Sequence, residues 1–316
     1  MMQAPVTVQI ERTYEELRPL LFSIAYRMLG SVSEAEDVVQ EAFIRYQRAL
    51  EERAQRIRSP KAYLSAAVTR LAIDHLDSAR VRREHYVGEW QPEPVLTDET
   101  ALEGERYVEQ ADSISMAFLL LLERLSPVER AVFLLHDVFD YSYEEVARIV
   151  GKSEVNCRQL AVRARRRVRD GAPRFEASRE ERERLADRFF AAFTGEGDVE
   201  DLIELLAADV VAYGDGGGKA PAARKAVHGR ERVARLLGGL AEQARKLGVR
   251  ARRTEINGQP GAVFLDSGDR VISITTLDIA EGQVQAVRSI TNPEKLAHLG
   301  PPADLPELLR LLSTRR

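Results

Sequence analysis

The stretch Ser142 to Arg169, reading SYEEVARIVGKSEVNCRQLAVRARRRVR, limits the possible folds more than any other part of the chain. Ser142 with Glu145 makes a capping box, and Val146, Ala147, Ile149 and Val150 then form an apolar stripe. Gly151 ends that helix. Ser153 can cap a second one, in which Cys157, Leu160, Ala161, Ala164 and Val168 share one face. At roughly 100° per residue, Asn156, Arg158, Gln159, Arg163 and Arg166 fall away from that face. This is the layout of a helix-turn-helix whose second helix enters the DNA major groove, with amide and guanidinium groups directed at base edges and phosphates. Taken alone, the same residues also fit an ordinary helical hairpin with a solvated arginine face.

The surroundings bear on that choice. At 316 residues the chain has room for two or three domains, each with its own core. Its net charge of −4 would argue against nucleic acid if charge were evenly spread. Arginines instead gather at Arg80, Arg82 and Arg83 and from Arg158 to Arg169, with acids between Glu89 and Glu109 and from Glu196 to Glu204. Screening confines charge to about a Debye length, so basic DNA-facing patches are expected within an acidic body. Cys157 is the only cysteine, which excludes an intrachain disulfide, and its apolar setting suits a small buried hydrophobe. The start has no basic n-region followed by an apolar run, and no stretch reaches transmembrane length. A cytoplasmic protein without membrane contact is expected.

Helical periodicity runs from about Tyr14 to Ala49, interrupted at Gly30, with Leu17, Leu20, Leu21, Ile24, Ala25 and Met28 as the first stripe. Ser33 with Glu36 reads as a capping box opening a helix through Val38, Val39, Ala42, Phe43 and Tyr46. Ser59-Pro60 starts a third helix, apolar at Tyr63, Leu64, Ala67, Leu71 and Leu76 and basic towards Arg83. A DNA-binding module and a plain helical bundle both fit this unit.

SVSEAEDVVQEAFIRYQRA followed by RSPKAYLSAAVTRLAIDHLDSARVRRE resembles region 2 of the extracytoplasmic-function sigma factors of bacterial RNA polymerase, and the helix-turn-helix resembles their region 4. The likeness covers the first 170 residues or so. It implies that the chain binds RNA polymerase core, through the clamp helices of the beta-prime subunit and the beta flap, and promoter DNA. Asp37, Gln40 and Glu41 then become polymerase-binding residues, with Phe43 placed in the core. Arg58, Lys61, Tyr63, Arg70, Asp74 and Arg80 become candidates for the melted minus-ten strand, where cations track phosphates and an aromatic ring stacks on a base. Tyr63 stands where many relatives carry tryptophan, and its place in the stripe also suits packing. Asn156, Arg158, Gln159, Arg163 and Arg166 fall to the minus-thirty-five duplex.

Between the two regions, Tyr86 to Val108 is acidic, carries prolines and lacks periodicity, as flexible connectors do. WQPEP, Trp90 to Pro94, holds the only tryptophan of the chain. An exposed connector gains nothing from a large aromatic unless it docks, so Trp90 is expected to be held against another part of the protein, the alternative being incidental packing on a neighbouring helix. The apolar helical segment Ser113 to Phe139 supplies a scaffold for the helix-turn-helix, and His136 at its end reads as structural.

After Pro173 an acidic helical region leads into DVVAYGDGGG, a helix from Gly229 to Leu247, and strands separated by turn signals at Asn257-Gly258, Ser267-Gly268 and Glu281-Gly282. Helices followed by an antiparallel sheet imply an α+β domain. This part is similar to the SnoaL-like, ketosteroid-isomerase-like cone fold, some members of which are enzymes with a pocket carboxylate as base. Asp187, Asp209, Asp215 and His228 are the groups available for such a role, and none lies in a catalytic motif. DGGGK, spanning Asp215, Gly216, Gly217, Gly218 and Lys219, together with NPEKL, carrying Asn292, Pro293 and Lys295, and the Trp90 motif resemble the signature of a sigma subgroup with this domain fused to it. That implies regulation in cis without a separate anti-sigma factor. The strand–GxxxxGK[ST]–helix pattern of a phosphate loop is absent.

The expected organisation is multidomain. It has region 2 over 12–85, a linker over 86–110, region 4 over 111–172, a cone domain over 180–297 and a tail over 298–316. Two parts are all-α and one is α+β. The expected function is an alternative sigma factor that is not an enzyme and uses no metal or cofactor. The alternative is a small-molecule sensor or an isomerase- or cyclase-like enzyme fused to a DNA-binding module.

Overall fold

The apolar stripes at the start of the chain become three helices in the computed structural model, which describes residues 6–52, 57–84, 86–97, 114–170, 178–194 and 199–314. They are α1 (Val6–Leu29), α2 (Val32–Glu51) and α3 (Pro60–Glu84). Leu21, Ile24, Met28, Val38, Tyr46, Leu64 and Val68 are buried where the three pack together. Gly30, at φ 68°, ends α1. The cap of α2 is Ser31, whose hydroxyl accepts from the Glu34 N–H at 3.2 Å, and not the expected Ser33. Both registers offer Ser-x-x-Glu; the turn at Gly30 finishes α1 early enough for the first to win, and it buries Val32.

Next come α4 (Met116–Leu122), α5 (Pro127–Phe133), α6 (Tyr143–Val150) and α7 (Glu154–Arg169). Ser126 with Glu129 and Ser142 with Glu145 form complete capping boxes, and Gly151 closes α6 at φ 65°. After α5 the backbone widens into a π-helical turn, Leu134–Val138. His136 there is structural, its Nδ1 being 2.8 Å from the Tyr141 carbonyl. Cys157, Leu160, Ala161 and Ala164 face the core, and burial pushes the Cys157 thiol up. α5, α6 and α7, with α4 from Phe118 onward and the first three helices, form one unit: Met1–Glu84, Gly104–Ile114 and Phe118–Ala172.

The second unit comprises His85–Glu103, Ser115–Ala117 and Pro173–Arg316. Its helices α8 (Arg179–Thr194) and α9 (Val199–Leu205) lead into β1 (Leu206–Asp215). Then follow β2 (Val227–His228), α10 (Arg230–Lys246), β3 (Arg250–Ile256), β4 (Gln259–Leu265), β5 (Val271–Ala280) and β6 (Gln283–Ile290). Two short helices, α11 (Pro293–Leu296) and α12 (Leu305–Thr314), complete it. The strands form one sheet in the order β2-β1-β6-β5-β4-β3, antiparallel except where β1 pairs with β6. Register shifts in β1, β4 and β5 mark bulges, which bend strands. Asn257-Gly258 and Glu281-Gly282 take positive φ at both residues, as tight hairpin turns require. At Ser267-Gly268 the positive φ falls instead on Asp269, because the Asp266 carboxylate accepts from the Gly268 and Arg270 N–H groups and sets the loop.

Alternate residues of β4 serve two cores. Ala262 and Phe264 join Phe189, Leu202, Val233, Leu237 and Val287 beneath the helices. Val263 points the other way, into a smaller cluster with Ile256, Val271, Ile274, Ile290 and Leu296. Leu96 of the linker covers that second cluster. The sheet is therefore covered on both faces, on one of them by the segment that composition alone presents as a connector.

Candidate functional site

Strand β1 ends on Asp215, whose carboxylate is fully buried. Four donors converge on it. The Tyr86 hydroxyl donates to Oδ1 at 2.5 Å and the Gly217 N–H at 3.1 Å, while the Gln91 N–H reaches Oδ2 at 2.8 Å and Lys295 Nζ at 2.7 Å. A buried carboxylate without such partners would cost several kcal/mol, so the arrangement holds the linker to the domain by electrostatics. Burial, the hydrogen bond to Asp215 and the carboxylate's charge push the Tyr86 phenol well up, so it stays a donor.

Lys295 completes the grip. Its ammonium also donates to the Gln91 carbonyl and lies 4.9 Å from the Tyr86 ring centroid and 4.5 Å from that of Trp90. Rings on a desolvated ammonium add cation–π attraction. Trp90 is thus held against Lys295. Asn292 caps α11 through the Glu294 N–H, with Pro293 next in line, and its amide donates to the Tyr86 hydroxyl at 2.9 Å. On the neighbouring strand Arg288 donates to Gln91 Oε1 at 3.0 Å and to Asp278 Oδ2 at 2.9 Å.

The glycines let the loop come this close. Gly217 and Gly218 take φ 59° and 73°. A Cβ on Gly217 would collide with the Asn292 amide and stand 2.9 Å from the Tyr86 hydroxyl; one on Gly218 would stand 3.2 Å from Val87. A Cβ on Gly216 would run into the Ala220 carbonyl. Lys219 pairs with Glu294 at the exposed rim.

Further along, the linker is tied down by main-chain and side-chain bonds. Val95 exchanges bonds with Asn257, Thr97 donates to the Glu255 carbonyl at 2.9 Å, and His298 Nε2 lies 2.7 Å from the Pro94 carbonyl. Tyr86 to Thr97 is therefore a held segment, contrary to the flexible connector that its composition suggests; the physical reason is the number of its own polar groups satisfied by the domain. The expected linker residues 98–110 lie outside the described residues.

In the helical unit, Arg158, Gln159, Arg163 and Arg166 are exposed along α7 and Asn156 is half-buried. Arg158 pairs with Glu154 at 3.1 Å and lies over the Tyr143 ring. Two further arginines anchor the helix: Arg165 to Asp137 at 2.6 Å and Arg167 to Glu129 at 2.6 Å. Burial acts to raise the Glu129 carboxyl, but hydrogen bonds from Ser126 and the charges of Arg167 and Arg163 outweigh it and hold it below the usual range. Val155 and Val162 are exposed on the same helix, apolar surface of the kind that meets thymine methyl groups.

On α2, Asp37 and Gln40 are exposed and Glu41 pairs with Arg45 at 2.8 Å. Exposed Ile44 and Tyr14 border a shallow hollow beside Gln40 and Phe43. Arg58 and Asp74 are exposed. Lys61 lies 5.6 Å from the Tyr141 ring centroid, and Tyr63 is half-buried beside Tyr46. Arg70 donates to the carbonyls of Ile149 at 2.8 Å and Arg148 at 2.9 Å. The Arg80 side chain lies outside the described residues.

The groups considered for enzyme chemistry are dispersed. Asp187 pairs with Arg253, Asp209 and His228 are exposed, and Asp215 is committed to the linker. None of them lines the large cavity of the cone. Sequence reasoning missed Tyr86, Gln91, Asp278 and Arg288. The last two had a signal, each being the only charged residue of its strand.

Residues 13–82 match the family Sigma-70 region 2, residues 115–168 match Sigma-70, region 4, and residues 186–291 match the SnoaL-like domain. The ECF RNA polymerase sigma factor SigJ of Mycobacterium tuberculosis is 37% identical over 296 residues, covering 89% of this chain and 91% of the relative. A probable ECF RNA polymerase sigma factor, SigI of the same species, is 36% identical over 192 residues, 60% of this chain and 64% of its own. The crystal structure of the Mycobacterium tuberculosis extracytoplasmic function sigma factor SigJ superposes with a TM-score of 0.71 at 36% identity, covering 90% of this chain and 97% of that one.

Proposed function

The chain belongs to the extracytoplasmic-function sigma factors of RNA polymerase, and from that premise we propose that its SnoaL-like domain regulates the sigma regions in cis by holding the linker between them. As a sigma factor it brings RNA polymerase core to promoter DNA and starts transcription. In this reading Asp37, Gln40 and Glu41, joined by Ile44 and Tyr14, form the face for the clamp helices of the beta-prime subunit. Arg58, Lys61, Tyr63, Arg70, Asp74 and Arg80 meet the melted minus-ten strand, and region 4 meets the beta flap and the minus-thirty-five duplex through α7. The domains run over 12–85, 86–110, 111–172, 180–297 and 298–316. The protein works in the cytoplasm, and no separate anti-sigma factor is required.

The observation that carries the regulatory reading is the buried Asp215 carboxylate, half of whose donors come from the linker. A linker so held cannot adjust the separation of regions 2 and 4, so the clasp restrains. Run-off transcription with core polymerase tests this. Asp215→Asn and Lys295→Met should each raise promoter-dependent transcript by at least about fivefold, the low end of ordinary coupling between sites. Unchanged yields in both would remove the clasp from regulation, and a fall would make it an assisting contact.

A further inference from the structure

We infer that the cleft between the glycine-rich loop and the start of the linker is an anion site for a small phosphate-bearing molecule, and that its occupant fastens the linker to the domain. The cleft is about 270 Å³, just under the roughly 300–1,000 Å³ of drug-sized pockets, which leaves room for a phosphate group with a small organic body. Val87 and Gly88 border it on the linker side, and Gly214, Gly216 and residues 218–224 on the domain side.

Charge decides the class of ligand. Lys219 and Arg224 carry the only charged side chains of the lining, and both are cations. From Gly216 to Arg230 the chain holds no Asp or Glu, while Lys225 adds a third cation beside Arg224. The acids close by are already engaged: Asp215 is buried against Lys295, and Glu294 takes Lys219 at a rim where both are exposed. A pair so exposed is weak, so a doubly charged phosphate, a stronger acceptor, can draw the ammonium from it. Arg224 has no ion pair among the described residues, whereas Arg250, Arg253, Arg270 and Arg288 of the same domain each have a carboxylate. Its guanidinium is left to fork onto phosphate oxygens. The other polar groups of the lining are main chain. Gly216 is buried, and its N–H meets no acceptor among the described residues, an orphan of the kind that a bound anion satisfies. The loop joins β1 to β2 with no helix at its end, so the grip differs from the strand–loop–helix cradle of nucleotide-binding proteins.

One wall of the cleft is linker and the other is loop, so the site is whole only while the two are together. A ligand that binds one state alone stabilises that state. The contact is close: a Cβ on Gly218 would stand 3.2 Å from the Val87 side chain, and Tyr86, next to Val87, donates to Asp215. The occupant therefore tightens the clasp and deepens its restraint. This consequence rests on the cis-regulatory reading above; the binding does not.

Isothermal titration calorimetry of the full chain with inorganic phosphate, pyrophosphate and glycerol 3-phosphate, at an ionic strength held constant with chloride, tests the site. Saturable binding at one site is expected; tighter binding of glycerol 3-phosphate marks an ester as the occupant, and tighter binding of phosphate or pyrophosphate the free anion. Arg224→Ala and Lys219→Ala should each weaken it about tenfold or more, with the unfolding midpoint of Arg224→Ala unchanged because that side chain holds nothing in place. Lys225→Ala, outside the lining, should change it by no more than about twofold. The emission of Trp90, the only tryptophan, should shift along the same binding curve. No saturable binding of any of the three anions, undiminished binding in both lining variants, or an equal loss in Lys225→Ala, which would mean a diffuse basic surface, would overturn the site. So would binding of a DNA duplex through these residues with none of the small anions bound. In run-off transcription with core polymerase, the anion that binds most tightly in calorimetry, pyrophosphate excepted because it reverses nucleotide addition, should lower the transcript in the wild type and not in Arg224→Ala; binding without that fall would overturn the coupling. Asp215→Asn reports on the clasp with no anion present, so failure of the cis-regulatory reading is seen separately.

Discussion

Asp215 receives donors of different kinds, and their removal should cost different amounts. Lys295→Met leaves a fully buried carboxylate without its counter-ion, a change of about 3–5 kcal/mol. Tyr86→Phe deletes one hydrogen bond to a charged acceptor, about 1.5–3 kcal/mol. Lys219→Ala breaks a pair whose members are 47% and 67% exposed, which is worth less than about 1 kcal/mol. Urea unfolding followed at Trp90 should return that order, and a Lys219→Ala loss matching that of Lys295→Met would contradict it. The three glycines, Asp215, Lys219 and Lys295 were legible in the sequence because two short motifs, DGGGK and NPEKL, carry them. Tyr86 and Gln91 were not, since a polar residue in an aperiodic segment shows no partner until the domain is folded over it.

Among the elements, α5 and α7 are joined through Glu129, whose side chain takes Arg167 at 2.6 Å and Arg163 at 3.8 Å. Its carboxyl lies below the ordinary range in the folded protein, so its contribution is present above the unfolded value, about 4.3, and is lost as pH falls through the lower folded value. Thermal unfolding scanned from neutral pH into acid should show a midpoint that falls below about pH 4 in the wild type, and a shallower fall in Glu129→Gln. Equal slopes would mean that the hub contributes nothing. The helix boundaries here were legible because caps are local: Ser142, Ser153 and Gly151 act within one turn of themselves. The parallel pairing of β1 with β6 was not, because it joins segments far apart in sequence and leaves no mark on either. The π-helical turn at Leu134 was hidden for a related reason, its apolar pattern being that of an ordinary helix.

At the scale of the molecule, the two promoter-reading modules are packed on each other inside the helical unit. Arg70 forks onto the last carbonyls of α6, and the Ser65 and Tyr141 hydroxyls share a buried bond at 2.8 Å. Arg130 reaches across to the Met28 carbonyl. Arg70 thus fastens region 4 to region 2, and the strand-tracking role proposed for it would exclude that contact. The family resemblance suggested only the second, because an exposed arginine on a basic helix carries no sign of a carbonyl pair contributed by another module. If polymerase must separate the modules, any state with the fork closed lowers apparent affinity for core by the fraction that is open. Loss of hydrogen bonds from a charged donor, at about 1.5 kcal/mol, corresponds to about a tenfold change in that fraction. Arg70→Ala should thus bind core about tenfold more tightly in an anisotropy competition, yet form fewer open complexes by permanganate footprinting. Ser65→Ala, which has no place in the strand path, should give a smaller gain of about two- to tenfold in core binding with open complexes intact. Unchanged core affinity in both variants would mean that the modules dock on polymerase while still fastened, and that the linker clasp rather than this fork sets their separation.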